Sequence, residues 1–356
     1  MIRVLVVEDS PTVQEFLLHI LRSDPEIEIV GTAKSGEEAL EAVDRTRPDV
    51  ITMDVHMPRM NGFDATRRIM ESHPTPIVIV SGTVDMADAA KAFQAIEAGA
   101  LAVLPRPNGM DHPAHGKTAA ELVQTVKLMS EVKVIRRWPR SRPVNTSPDV
   151  STFTVLRNQP SLAQVKLVAV GASTGGPPAL QAILSDLPRD FSVPVLVVQH
   201  IAHGFTEGFA DWLAKISSLP VQVPAHGEVV LAGHVYLAPD DVHMAVDNQG
   251  RILLDADEPE NGLRPSVAHL FRSVAHAYGP SAVGVLLTGM GKDGALELKL
   301  MKDQGAVTIA QDRGTSVVHG MPGEAIKVGG ATYVLPLEKI RTILTKLVNG
   351  SENGRE

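Results

Sequence analysis

Short apolar runs alternate with stretches of helical periodicity through the first third of the chain. Residues 4–7 form an apolar run that ends in Glu8-Asp9, and Val13, Phe16, Leu17, Ile20 and Leu21 follow at helical spacing. Residues 27–30 make a second strand, and Ser35 with Glu38 forms a capping box for a helix carrying Ala39, Leu40 and Val43. Three more strands are expected at 50–53, 77–80 and 101–104; they run into Asp54, Ser81 and Pro105-Arg106-Pro107. A helix over 118–135, on Leu122, Val126 and Met129, closes the region. Such alternation predicts an α/β fold with a parallel, doubly wound sheet, whose ligands sit at the strands' carboxyl ends.

The pattern then breaks. Residues 136–162 are rich in Pro, Arg, Ser and Asn, and Trp138-Pro139-Arg140-Ser141-Arg142-Pro143 reads as an extended linker. A second alternating region starts near Val165, with strands expected at 167–170, 195–199, 235–237, 252–254, 283–287 and 306–310. The expected organisation is a first domain over 1–134, a linker over 135–164, a second α/β domain over 165–348 and a polar tail over 349–356. Two domains also suit 356 residues, a length at which a single core stops growing.

Composition narrows the function. With 44% hydrophobic and 21% charged residues the chain is an ordinary globular protein, and a net charge of −8 argues against nucleic acid as a partner. There is no cysteine, so thiolate chemistry and disulfides are excluded. The start is too short and too soon acidic for a signal peptide, and no apolar run approaches the roughly 18 residues that span a bilayer. A cytoplasmic protein without direct membrane insertion is expected.

Two rims carry the candidate chemistry. In the first domain, Glu8, Asp9 and Asp54 end two strands that a doubly wound sheet sets side by side. Converging carboxylates repel unless a hard divalent cation such as Mg²⁺ neutralises them. In the second, Val170-Gly171-Ala172-Ser173-Thr174-Gly175-Gly176 breaks a buried strand into a helix that opens on Pro177 and Pro178. Gly171, Ser173 and Gly175 fit the G-x-S-x-G pattern that lifts a serine out of a sheet. A glycine-rich turn cradling phosphate is the other reading, although the spacing of G-x-G-x-x-G and the lysine of a P-loop are missing. A nucleophilic serine needs an imidazole and an orienting carboxylate. Among 13 histidines, His200 ends the apolar run 195–199, and Asp293 sits in the glycine-flanked loop after the strand at 283–287.

Residues 1 to about 134 resemble a response-regulator receiver domain, DVHMPRMNG from Asp54 to Gly62 included. The segments GASTGG, VQHIAHGFTEGFA, HVYLAP, RPSVAHLF, LLTGMGKDGA and AQDRGTSVVHGMP resemble the catalytic domain of the chemotaxis protein-glutamate methylesterase/glutaminase family, in its order. The resemblance implies a flavodoxin-like receiver joined to a Rossmann-like methylesterase domain. It implies that Asp54 accepts a phosphoryl group from a histidine kinase, that Glu8, Asp9 and Asp54 hold Mg²⁺, and that Ser81 and Arg106 contact the phosphoryl group. It implies Ser173 as nucleophile, His200 as general base and acid, Asp293 as its orienter and the Met290 N–H as an oxyanion donor, with no cofactor in the catalytic domain. The substrates would be glutamyl methyl esters and glutamines on methyl-accepting receptor helices, with the receiver packed over the serine rim. The chain departs from the family at Arg106, usually Lys; at Val103, usually aromatic; and at Ile201-Ala202-His203, Asp211-Trp212 and Ala268, all expected near the substrate rim. A catalytically silent phospho-switch adaptor and a nucleotide-binding module are the competing functions.

Overall fold

The computed structural model describes residues 1–82, 93–132, 134 and 164–349. The first sheet contains β1 (Ile2–Val7), β2 (Ile27–Ala33), β3 (Val50–Met53), β4 (Ile77–Ser81) and β5 (Ala102–Pro105), all parallel, in the order β2-β1-β3-β4-β5. This is the doubly wound order of flavodoxin-like domains. Buried on both faces, the central strands read as unbroken apolar runs. Val4 and Val6 face α1 (Pro11–Arg22) and α4 (His115–Ser130); Leu5 and Val7 face α2 (Gly36–Thr46) and α3 (Gly62–Ser72).

Helix α4 ends at Ser130 rather than near 135, because the Glu131 N–H turns back to the Leu128 and Met129 carbonyls after the last apolar anchor, Met129. The expected capping box is present in altered form. Ser35 accepts from the Glu38 N–H, whereas the Glu38 carboxylate takes the N–H of Lys34. The expected linker lies outside the described residues except for Gln164, and the tail except for Asn349.

The second sheet has seven parallel strands: β6 (Leu167–Ala172), β7 (Val195–Gln199), β8 (Val221–Gln222), β9 (Val235–Leu237), β12 (Ala282–Leu286), β13 (Val307–Gln311) and β14 (Tyr333–Leu335). Their order is β14-β13-β12-β6-β7-β9-β8. Val168 and Val170 face α5 (Gly176–Leu184), α6 (Thr206–Ile216) and α10 (Leu337–Asn349). Leu167 and Ala169 face α7 (Val267–Tyr278), α8 (Ala295–Asp303) and α9 (Met321–Lys327). Outside this sheet, β10 (His243–Val246) pairs antiparallel with β11 (Ile252–Asp255), so the second half is not purely parallel. The order in which the chain adds strands reverses between β12 and β6, which opens a crevice at their carboxyl ends.

The two halves share a core. Phe93, in a helical stretch over 93–98, lies with its ring centroid 4.9 Å from Phe209, 5.8 Å from Trp212 and 6.4 Å from Phe205. The Trp212 Nε1–H donates to the Glu97 carboxylate at 3.0 Å.

Candidate active site

Strand β6 ends at Ala172, and Ser173 begins a turn in which the Gly176 N–H donates to the Ser173 carbonyl at 2.7 Å. Gly175 takes φ +78°, a left-handed conformation that favours glycine, and a Cβ there would meet the Val317 side chain at 2.5 Å. Val317 therefore packs directly against Gly175, and the turn is shaped for close packing. Helix α5 follows, with its prolines in the first turn where N–H groups have no partner. Gly289 approaches from the other side; a Cβ there would stand 2.8 Å from Ser173 Cβ.

His200 follows β7, and its N–H donates to the Ala172 carbonyl at 2.9 Å, so base and serine occupy adjacent strand ends. Its Nε2 meets Asp293 Oδ2 at 2.9 Å, which leaves Nδ1 as the nitrogen available to the serine. Among the described residues no hydrogen bond joins the Ser173 hydroxyl to the His200 ring; such contacts often close only around substrate. The Met290 N–H also donates to no described acceptor, so it is available to an oxyanion.

Asp293 is the most completely held group in the crevice. It is 4% exposed; Oδ1 accepts from Ser266 Oγ and the Ala268 N–H, each at 3.1 Å, while Oδ2 accepts from the Val267 N–H at 2.7 Å as well as from His200. Burial alone would raise its pKa, but the hydrogen bond and charge of His200 and the two backbone N–H groups outweigh burial and hold it below the usual carboxylate value. Ser266 lies in the RPSVAHLF segment, but the sequence assigned it no role in the site. A serine before an apolar periodic stretch is an N-cap mark with nothing to tie it to Asp293. Gln199 was missed too; its Nε2 donates to both the Ser173 and His200 carbonyls, fixing the two strand ends to each other.

The first sheet gathers Glu8, Asp9 and Asp54, which offer carboxylate oxygens all within 4.8 Å of one another. Burial first, then the Asp54 charge, pushes Glu8 up to about 7 against the pull of Arg106, and burial raises Asp54 as well. Arg106 Nη2 lies 3.3 Å from Glu8 Oε2, and its guanidinium lies where a Cβ on Gly82 would be. Ser81, whose carbonyl takes the Arg106 N–H, has a buried hydroxyl with no hydrogen-bond partner among the described residues. The all-oxygen donor set fits a hard divalent cation such as Mg²⁺.

Two family profiles match this chain: response regulator receiver domain over residues 4–112 and CheB methylesterase over 168–344. A protein-glutamate methylesterase/protein-glutamine glutaminase of Nitrosospira multiformis is 59% identical over 348 residues, 98% of this chain and 97% of that protein. The chain belongs to that family. A homologue of the same description from Geobacter metallireducens is 55% identical over 98% of this chain and 99% of its own length. The Thermotoga maritima CheB methylesterase catalytic domain, a crystal structure, aligns over its full length and 52% of this chain, with 41% identity and a TM-score of 0.51.

The structure shows where two of the departures from the family lie. Trp212 is not on an open substrate rim. It is 2% exposed, stacked on Phe209 and bonded to the receiver's Glu97. Ala268 is buried as well, and its contribution is the backbone N–H on Asp293. No helix among the described residues is long and apolar enough to cross a membrane.

Proposed function

We propose that this chain hydrolyses γ-methyl esters of glutamyl residues, and deamidates glutamines, on receptor helices, with Ser173 as nucleophile, His200 as base and Asp293 as its orienter. The observation that carries the reading is the convergence of these three residues at the ends of β6, β7 and β12, at the switch point of the sheet. Ser173 Oγ adds to the ester carbonyl while His200 Nδ1 takes its proton, and the Met290 N–H faces the developing oxyanion. One such donor contributes about 3–4 kcal/mol. Collapse expels methanol with the proton from His200; water then adds by the same route, returning Ser173 and leaving a carboxylate. With glutamine the leaving group is ammonia.

In the receiver, Asp54 would accept a phosphoryl group from a histidine kinase of a chemotaxis-type system. Bound by Glu8, Asp9 and Asp54, Mg²⁺ would neutralise charge on the transferring group. Ser81 offers an unspent hydroxyl beside that carboxylate, and Arg106 a guanidinium that must leave Glu8 to reach a phosphoryl oxygen. The receiver covers the serine rim. Val317, seated on Gly175, packs with Val318 against the receiver's apolar cluster, and Phe205, in the loop after His200, packs on Phe93.

Methanol release from a receptor fragment methylated on glutamates tests the reading. Ser173→Ala should lower turnover by orders of magnitude and abolish fluorophosphonate labelling, since triad members act as a unit. Native turnover in that variant rules out the assignment.

A further inference from the structure

The hydroxyl of Ser266 is committed in both directions. As N-cap of α7 it accepts the His269 N–H at 3.3 Å, which directs its single proton elsewhere, and Asp293 Oδ1 lies 3.1 Å away. The residue itself is fixed from behind. Its N–H donates to Nδ1 of His243 at 3.2 Å, which leaves the ring proton on Nε2, 3.2 Å from the Glu258 carbonyl. His243 is wholly buried, and its ring stacks on His269 with centroids 4.6 Å apart and planes 16° from parallel. His269 in turn lies between Asp255 and Glu260. A continuous chain of hydrogen bonds therefore links the Glu258 carbonyl, His243, Ser266, Asp293 and His200, with Ser266 donating both to His243 and to Asp293.

We propose that Ser266, held by His243, is a positioning residue of the esterase: its hydroxyl fixes the Asp293 carboxylate in the plane of the His200 ring. The proposal rests on the triad reading above. Without the hydroxyl, Oδ1 keeps only the Ala268 N–H, and the carboxylate can swing about the bonds to Oδ2. Its charge is also less dispersed, so it holds the imidazolium of His200 more tightly and returns the proton less readily to the leaving group. Ser266 touches no substrate, so kcat should fall and KM should not.

The loss of a cap is the competing explanation for any defect, and glycine separates the two, because N-cap glycine costs a helix only a few tenths of a kcal/mol relative to serine. The full chain and its Ser266→Gly, Ser266→Ala and Ser266→Thr variants are compared on a synthetic peptide carrying a glutamyl γ-methyl ester. Rates are normalised to sites titrated with a fluorophosphonate, so that misfolded molecules do not count. In Ser266→Gly, per-site kcat should fall roughly tenfold, the size expected for one hydrogen bond to a charged group. KM should hold, and the acid limb of the kcat/KM profile should move to higher pH. Ser266→Thr, which keeps the hydroxyl, should restore both. If Ser266→Ala proves too unstable to purify, His243→Gln provides a second route and should give the same displacement of the acid limb in weaker form. Native per-site kcat and an unmoved pH profile in Ser266→Gly would overturn the proposal while leaving the triad intact. A native chain that neither labels nor releases methanol would overturn the triad reading, and the proposal with it.

Discussion

At the scale of single residues, Arg106 is the sharpest departure from the receiver pattern, and the structure shows how it is accommodated. A guanidinium is longer and flatter than an ammonium, and here it lies over Gly82 and reaches Glu8 rather than standing upright in the pocket. Mg²⁺-dependent labelling by a small phosphodonor should therefore occur on Asp54 and vanish in Asp54→Asn. Arg106→Lys, freed from Glu8 by its shorter reach, should label more readily and activate the esterase more steeply. Label persisting in Asp54→Asn would exclude the acceptor, and identical activation in Arg106→Lys would make the substitution silent. The sequence exposed these groups because each ends an apolar run, and a parallel sheet sends all such ends to one rim. It did not expose Ser266 or Gln199, whose partners are set by chain crossings with no local signature. Nor could it say which imidazole nitrogen faces Asp293.

At the scale of elements, the central strands of both sheets were legible, as was β11, whereas β8, β10 and β14 were not. β6, β7 and β12 are apolar runs, whereas β8 has two residues, β14 lies at the sheet edge, and β10 contains a histidine and runs antiparallel outside the main sheet. Helix α7 shows what such a reading omits. Its N-terminus grips Asp293, and its flank is tied to the preceding loop by Arg272, which makes a paired contact with Glu260 at 3.1 and 2.7 Å. Arg272 first, with help from His269, lowers Glu260 from its usual 4.5 to about 2. A carboxyl whose pKa is depressed by folding contributes stability that is fully present above its unfolded pKa and lost as pH falls through the folded one. The gap in melting temperature between the native chain and Glu260→Gln should then be widest above about pH 5 and close towards pH 2. A gap that stays constant across that window would show that Glu260 acts through packing alone.

At the scale of the whole molecule, receiver and esterase meet in an aromatic contact that periodicity within either domain could not announce: Trp212 was expected near the substrate rim, and nothing in the sequence pointed to Phe93 as its partner. Burying Phe93 among Phe205, Phe209 and Trp212 joins the two cores, and truncating such a side chain removes roughly 3–5 kcal/mol of packing. In a two-state cover that energy biases the closed arrangement, so its removal should populate the open one without any phosphoryl group. Phe93→Ala should raise the esterase rate of the unphosphorylated chain towards that of a fragment beginning near Ser161, and further phosphorylation should add little. Trp212 gives an independent readout, since the chain has two tryptophans and Trp138→Phe leaves it as sole reporter. Its emission should shift to the red when the Asp54 chain is phosphorylated and stay still in Asp54→Asn. Native basal activity in Phe93→Ala, together with Trp212 emission indifferent to phosphodonor, would show that the aromatic contact is a passive seam and that the cover is governed by the Val317 loop instead.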